Sequence, residues 1–391
     1  MVSTNPQKIE EALTKGVKRI YPSRGDLEKV LKSGRRIRIY NGIDPTGKLH
    51  IGHLVVLKKM KQFQDLGHEI IILIGDFTAT IGDPTGKDAT RKPLTRKEVL
   101  QNSKDYKKQI GKILDLKKAN VRFLHNQEWT NKLKPKDMLE LASRFTVARL
   151  LERDMFQKRI EEGRDIHVHE FLYPIFQAYD SVSMDVDLEI GGNDQIFNML
   201  AGRTLVKKIK DKEKFVLATK LLVDPKGKKI GKTEGNTINL NEKPNEIYGR
   251  IMNWPDGLID TALELCADVP LSKIKKVTNP KNKKSILAKE VISLLYSKEL
   301  AEKAAKEFDR VFKEKELPFE ISEIRLVKRE WDILDLLVKA GLASSKSQAK
   351  RLIIQKGVKI NNKVEDDWQK KIKTEKNMFI QVGKRNFRKI I

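Results

Sequence analysis

A single cysteine, Cys266, among 391 residues excludes a disulfide framework and any cysteine-based zinc or iron–sulfur site. The strongly apolar runs are short, Ile70 to Ile74 among the longest, far below the ~20 residues of a membrane helix. The N-terminus lacks an apolar core and carries Glu10 and Glu11, which argues against a secretory signal or an acid-poor transit peptide. No internal repeat is visible. Acidic residues are in deficit: 53 Asp and Glu stand against 79 Lys and Arg, a formal charge of +26. That excess attracts polyanions, nucleic acid first and an anionic membrane surface second. What remains is the expectation of a soluble cytoplasmic chain of several domains with a polyanionic partner and no membrane-spanning segment. The length suits two or three domains of about 150 residues each, and 39% apolar residues can supply each with a core.

Hydrophobic spacing divides the chain. Residues 7–33 read as amphipathic helix, from Ile9, Leu13 and Val17 to Leu27, Val30 and Leu31. Ile37, Ile39 and Ile43 mark a strand ending near Gly42, and a turn Asp44-Pro45-Thr46-Gly47 follows. The pattern is helical from His53 to Leu66 and stops at Gly67. Glu69 to Gly75 is a short apolar run that suits a parallel strand buried on both faces. Strand, helix and strand in this order form a βαβ unit and predict an α/β, Rossmann-like doubly wound parallel sheet. Alternation continues to about residue 240. Helices alone are then expected, at Ile247 to Trp254, Leu258 to Cys266 and Ile286 to Val311. Residues 312–330 are charged, contain Pro318 and read as a linker. From Trp331 a short helix, a second helix over Ser347 to Gln355, and strands around an Asn361-Asn362 turn are expected. This tail, 331–391, carries 15 Lys and Arg against 6 Asp and Glu. The expected division is 1–240 as a Rossmann-like domain, 241–318 as an all-α domain, 319–330 as linker and 331–391 as a small basic α+β domain.

Four segments carry candidate chemistry. His50-Ile51-Gly52-His53 follows a strand and opens a helix, whose free N–H groups and positive end suit an anion. The glycine lets a ligand approach the backbone, and both imidazoles can donate to phosphate oxygens. Two histidines at this spacing can also chelate a metal, but no third ligand lies nearby in sequence, so no metal site is assigned. Lys228-Lys229-Ile230-Gly231-Lys232-Thr233 follows a Gly-rich turn; by itself it reads as solvated surface. Gly82-Asp83-Pro84-Thr85-Gly86-Lys87 fails as a P-loop, because three residues separate its glycines and Asp88 stands where Ser or Thr is required. It reads as a strand-end turn or as a loop offering Lys87 and Arg91 to phosphates. Gln177-Ala178-Tyr179-Asp180 and Gly191-Gly192-Asn193-Asp194-Gln195 interleave polar groups with Phe171, Tyr173 and Phe176, as in a pocket for a small polar ligand or in an amphipathic helix with its loop.

Together these segments, in this order and with Tyr40-Asn41-Gly42-Ile43-Asp44-Pro45-Thr46, resemble the bacterial tyrosyl-tRNA synthetases of class I over nearly the whole chain. The first is the family's HIGH motif and the second a Lys-x-Gly-Lys-Thr form of its lysine signature. The resemblance implies activation of L-tyrosine by ATP to tyrosyl-adenylate, magnesium arriving with the ATP, then transfer to tRNA(Tyr) by a homodimer. It implies that Tyr40 and Asp180 bind the phenolic hydroxyl. Asp83, Tyr173 and Gln177 would hold the ammonium group, with Thr78 at that end and Gln195 on the carboxylate. Gly42, Asp44, Gly52, Asp194 and Lys232 would contact ATP. Thr46, His50 and His53 would serve the transition state, over which Lys87, Arg91, Lys229, Lys232 and Thr233 close. Lys346, Lys350 and Arg351 would grip RNA. A tryptophan enzyme fits less well, since an indole offers only a donor N–H to Tyr40 and Asp180. A small-molecule nucleotidyltransferase has no use for the basic tail. A chain that binds RNA without catalysis has no use for two phosphate-gripping signatures.

Overall fold

The computed structural model describes residues 1–84, 94–224, 230, 237–270, 274, 276–312, 323–326, 330–383 and 386–391. The chain forms two compact units, Met1–Glu302 and Lys303–Ile391.

The first unit is built on a six-stranded sheet in the order β1-β6-β5-β2-β3-β4. Its strands are β1 (Val17–Tyr21), β2 (Arg38–Ile43), β3 (Glu69–Ile74), β4 (Val121–His125), β5 (Leu188–Gly192) and β6 (Phe215–Thr219). All neighbours are parallel except β1, which runs antiparallel to β6. β3 is buried at every position from Ile70 to Ile74, as the continuous apolar run requires. From β2 the chain proceeds outward to β3 and β4, then returns to the other side of β2 for β5 and β6. The switch point therefore lies between β2 and β5, where ligands of open α/β sheets bind.

The seam there is short. Only Ile39↔Leu188 and Tyr40↔Glu189 pair across it. Beyond them β2 stays with β3 and β5 stays with β6, so the two parallel pairs part company. The Asn41 side chain bridges the gap, its amide donating to the Ile190 carbonyl at 2.8 Å.

Three segments differ from the periodicity. Residues 7–33 contain α1 (Pro6–Thr14), then β1, then α2 (Arg24–Lys32). The chain turns at Gly16 with φ of +68°, and β1 finds its hydrogen-bonding partner far downstream on β6. No local period records a partner that distant. Ile286 to Val311 is two helices, Pro280–Leu295 and Lys298–Phe312. Tyr296 leaves the helical region at φ −137° and ψ −91°, and its hydroxyl donates to the Glu242 carbonyl at 2.6 Å. Within the stretch read as a linker, Glu323–Ile324 form β7, parallel to β13 (Asn386–Ile390).

The second unit packs two helices, Ile333–Lys339 and Lys346–Ile354, on a small sheet. Ile333, Leu336, Leu337, Ala349 and Ile353 form its core with Val358 and Ile380. Val358–Ile360 and Lys363–Glu365 make the hairpin expected around Asn361-Asn362, both of which sit at positive φ.

α3 (Ile51–Asp65) covers the sheet and ties down α1. Its buried Lys59 donates to the Ala12 and Lys15 carbonyls, at 2.8 and 2.7 Å, where α1 ends. Burial pushes the Lys59 ammonium down to about 7. An unfolded lysine titrates near ~10.4, so between these values the unfolded chain holds more protons and stability rises with pH. The melting temperature should therefore climb from pH 7 toward pH 9, and Lys59→Met should flatten that climb. Equal slopes for the two proteins in a thermal titration would refute the assignment.

Candidate active site

The N-terminus of α3 stands at the parted seam. His50 is its N-cap, and its Nδ1 accepts from the Gly52 N–H at 3.1 Å. His53 Nδ1 accepts from the His50 N–H, also at 3.1 Å. A ring that accepts at Nδ1 carries its proton on Nε2 when neutral. The rings, 4.1 Å apart, thus hold two Nε2–H groups at the positive end of the helix, whose own first N–H groups are taken up by Ile238 and His50. Gly52 serves this arrangement first, since an added Cβ would lie 3.0 Å from the His50 ring.

Deeper in the crevice, carboxylates converge, each held by named partners. Asp44, just past β2, accepts from Thr78 Oγ1 at 2.7 Å and from Tyr173 Oη at 2.8 Å. Asp180 accepts from Trp129 Nε1 at 2.8 Å and from Asn126 Nδ2 at 3.3 Å. Asp83 accepts from Gln195 Nε2 at 2.8 Å, with Arg153 at 3.7 Å. Glu189 accepts from Gln177 Nε2 at 2.9 Å and from the ammonium of fully buried Lys214. Tyr40 is fully buried and its hydroxyl pairs with Ser181 Oγ at 2.9 Å.

Burial sets the protonation of this group. It raises Asp180 well above the usual carboxylate range, against the pull of the Trp129 and Asn126 hydrogen bonds. It raises the Tyr40 hydroxyl, assisted by the charges of Glu189 and Asp180, and the Tyr173 hydroxyl, assisted by Asp44 and Asp83. Both phenols therefore remain donors across the neutral range. The crevice can hold a cationic group among carboxylates and hydroxyls at its buried end, and an anion at the helix end.

Residues 32–313 match the family model of class I tRNA synthetases (W and Y), and residues 313–389 match the model of the tyrosine–tRNA ligase SYY-like C-terminal domain. The tyrosine–tRNA ligase of Carboxydothermus hydrogenoformans is 46% identical, with 97% of each chain covered. The chain belongs to the class I tyrosyl-tRNA synthetases. The Thermotoga maritima tyrosine–tRNA ligase is 41% identical over 98% of both chains. A C-terminally truncated mitochondrial tyrosyl-tRNA synthetase of Coccidioides posadasii superposes with a TM-score of 0.63 at 25% identity, covering 77% of this chain and 90% of that one. The Archaeoglobus fulgidus enzyme, solved with L-tyrosine, shares the fold at a TM-score of 0.60 and 22% identity, over 76% of this chain and 98% of its own. As a tyrosyl-tRNA synthetase the chain activates tyrosine with ATP, releasing pyrophosphate, and transfers the tyrosyl group to the 3′ end of tRNA(Tyr).

Most residues singled out in the sequence line this one crevice: Tyr40, Gly42, Asp44, His50, Gly52 and His53 from the first half of the sheet, Thr78 and Asp83 beyond β3, and Tyr173, Gln177, Asp180, Asp194 and Gln195 from the second half. Thr46 lies in the β2–α3 loop, its N–H bonded to the Asp44 carbonyl, and is not among the lining residues. Lys87, Arg91, Lys229, Lys232 and Thr233 lie outside the described residues. Of the lysine signature only Ile230 is described; it is buried and lines the crevice, its N–H bonded to the Leu222 carbonyl. Lys346, Lys350 and Arg351 share one helix of the second unit. There Lys346 pairs with Asp335 at 2.7 Å, and the Lys350 ammonium sits 3.5 Å from the centre of the Trp368 ring. Among the described residues no group of three or more His, Cys, Asp or Glu could hold a metal ion.

Sequence reasoning missed Asn126, Trp129, Glu189, Lys214 and Gly75. A charged residue inside the apolar strand β5 was a signal for Glu189. Gly75 carries no motif. An added Cβ there would meet Asp44 Oδ1 at 2.2 Å and Thr78 Oγ1 at 2.5 Å. Gly75→Ala should displace the Asp44 carboxylate at a cost of about 1–3 kcal/mol. Tyrosine-dependent pyrophosphate exchange is expected to fall about tenfold or more while thermal unfolding stays cooperative. Unchanged exchange would mean that the position of Asp44 does not matter to the reaction.

Proposed function

We propose that tyrosine lies with its phenol toward Tyr40 and Asp180 and its ammonium among Asp83, Tyr173 and Gln177. Thr78 lines the ammonium end and Gln195 faces the carboxylate. The observation that carries this reading is the deeply buried Asp180 carboxylate, fixed by Trp129 and Asn126 beside the Tyr40 phenol. A hydroxyl brought there can add a hydrogen bond to these groups; phenylalanine can add none. Such sites reject the analogue by about 10⁵ without editing, a figure taken from this very family of enzymes.

ATP, carrying its magnesium, would place its nucleotide against Gly42, Asp44, Gly52 and Asp194. Its phosphates would meet the α3 N-terminus, His50 and His53, with Thr46 beside them. The tyrosine carboxylate then attacks the α-phosphate and pyrophosphate leaves. No protein nucleophile takes part; the chain supplies position and preset hydrogen-bond donors to the developing charge. By family resemblance Lys87, Arg91, Lys229, Lys232 and Thr233 close over the departing pyrophosphate. In the second step the terminal ribose hydroxyl of the tRNA attacks the mixed anhydride.

The division into 1–240 for activation, 241–318 for the anticodon region, a linker over 319–330 and 331–391 for further RNA contact belongs to the same proposal. Lys346, Lys350 and Arg351 would bind phosphates, a contact that salt weakens. A homodimer is supported by Leu139, Val147, Ile160 and Val168, which are large apolar residues exposed in the segment between β4 and β5. A cytoplasmic site of action follows from the tRNA substrate.

Pyrophosphate exchange without tRNA, run with tyrosine, tryptophan and phenylalanine, tests the substrate. Exchange with tyrosine alone is expected; exchange with tryptophan would discard the Tyr40 and Asp180 roles. Asp180→Ala removes the buried partner of the phenol and leaves Trp129 and Asn126 without theirs, a cost of about 1–3 kcal/mol, so kcat/KM for tyrosine should drop roughly 5- to 150-fold and the preference over phenylalanine should shrink. A chain lacking residues 331–391 should keep adenylate formation and charge tRNA more weakly. Equal loss of both steps would refute the division of labour.

A further inference from the structure

Gln177 presents an amide to the crevice, and an amide has two faces. Its oxygen can accept from a substrate ammonium; its nitrogen can only repel one. Glu189 decides between them. A carboxylate accepts and cannot donate, so the Gln177 Nε2 must turn to Glu189 Oε1, 2.9 Å away. The Oε1 of Gln177 is thereby the atom offered to a ligand. Glu189 is itself secured by its strand and by an ammonium. It sits in β5, paired in register with Tyr40 of β2. Lys214, wholly buried just ahead of β6, donates to its second oxygen and to the Met199 carbonyl at 3.3 Å. Gly202 leaves the space for that ammonium: an added Cβ would lie 2.5 Å from Lys214 Nζ and 3.4 Å from Glu189 Oε2.

We propose that Glu189, paired with Lys214, is a positioning residue that orients the Gln177 amide so that its oxygen receives the tyrosine ammonium. The pair touches no reacting atom. Its effect is on binding of the amino group and so on KM for tyrosine, not on the phosphate chemistry. The inference rests on Gln177 contacting the ammonium.

The test compares two ligands, L-tyrosine and 3-(4-hydroxyphenyl)propionate, which lacks only the amino group. Binding to the full chain is measured by calorimetry. Three variants are needed: Gln177→Met, Glu189→Leu/Lys214→Met and Glu189→Gln/Lys214→Met. The double changes remove the buried charge on both sides at once; the glutamine version restores an acceptor oxygen to Gln177. Tyrosine affinity should fall about tenfold in the leucine version, with the propionate changed less than twofold. The glutamine version should stay within about threefold of the parent for both ligands. Equal weakening of both ligands, retained tyrosine affinity in the leucine version, or failure of the glutamine version to rescue would each overturn the proposal. Gln177→Met separates the two layers. If it leaves the tyrosine-to-propionate ratio untouched, the ammonium role of Gln177 fails and the role of Glu189 with it. If it shifts the ratio and the leucine version does not, only the role of Glu189 fails.

Should the leucine version not fold, Glu189→Gln alone gives the decision. Lys214 can only donate, so the new amide turns its oxygen to Lys214 and its nitrogen to Gln177, and the Gln177 amide turns over. The tyrosine-to-propionate affinity ratio should then fall about tenfold; an unchanged ratio overturns the proposal.

Discussion

The parting of β2 from β5 after a two-residue seam is the constraint on which the rest of the catalytic unit depends. Parallel strands leave peptide groups that demand partners, and water or a ligand must supply them where a ladder stops. Here β2 keeps β3 and β5 keeps β6, while Asn41 covers the Ile190 carbonyl across the split. The split follows from chain order, since β3 and β4 lie on one side of β2 and β5 and β6 on the other. It fixes where the chemistry can be. The strand ends deliver Tyr40, Asp44 and Glu189, and the helix that follows β2 delivers His50 and His53 with its positive end pointing the same way.

The crevice then sorts charge along its length. A strongly basic protein gathers Asp44, Asp83, Asp180 and Glu189 in one place, which burial alone opposes. Each carboxylate is met by donors that have little freedom: phenols, an indole, amides, a guanidinium and one buried ammonium. On the proposed reading, the acceptors meet the amino group and the hydroxyl and the α3 end meets the phosphates, so that tyrosine and ATP are separated by sign. Reorganisation is small because the groups are already committed to their orientations.

The part of this that was legible in the sequence is the part whose residues are close along the chain. His50 and His53 cap each other's turn, Gln177 and Asp180 share one helix face, and Gly191 to Gln195 follow one strand. Strands β2 and β3 and helix α3 were legible because their apolar periods are local and strong. β1 was not, because a five-residue strand between two helices owes its conformation to β6. β7 was not, because two residues owe theirs to β13. Asn126 and Trp129 emerge from β4 as ordinary polar and aromatic residues; only the fold brings them to Asp180. Gly75 and Gly202 have no motif, since what defines them is a side chain from another element occupying the place of their Cβ.

Lys214 and Glu189 show why such residues escape pattern reading yet matter to the site. Burying two charges costs several kcal/mol per ion, and well-packed apolar replacements are often neutral or stabilising, at about 1–4 kcal/mol in their favour. Fold stability therefore gives little reason for the pair, whereas an amide that can be turned two ways gives a specific one. Gln177 alone has no preference for which end faces a ligand; in water the two faces are equivalent within a hydrogen bond. An acceptor-only neighbour removes the ambiguity, and a buried ammonium fixes that neighbour by its second oxygen. On this account the pair trades stability for the orientation of one side chain, and its energetic signature is a difference between two ligands, not a melting temperature.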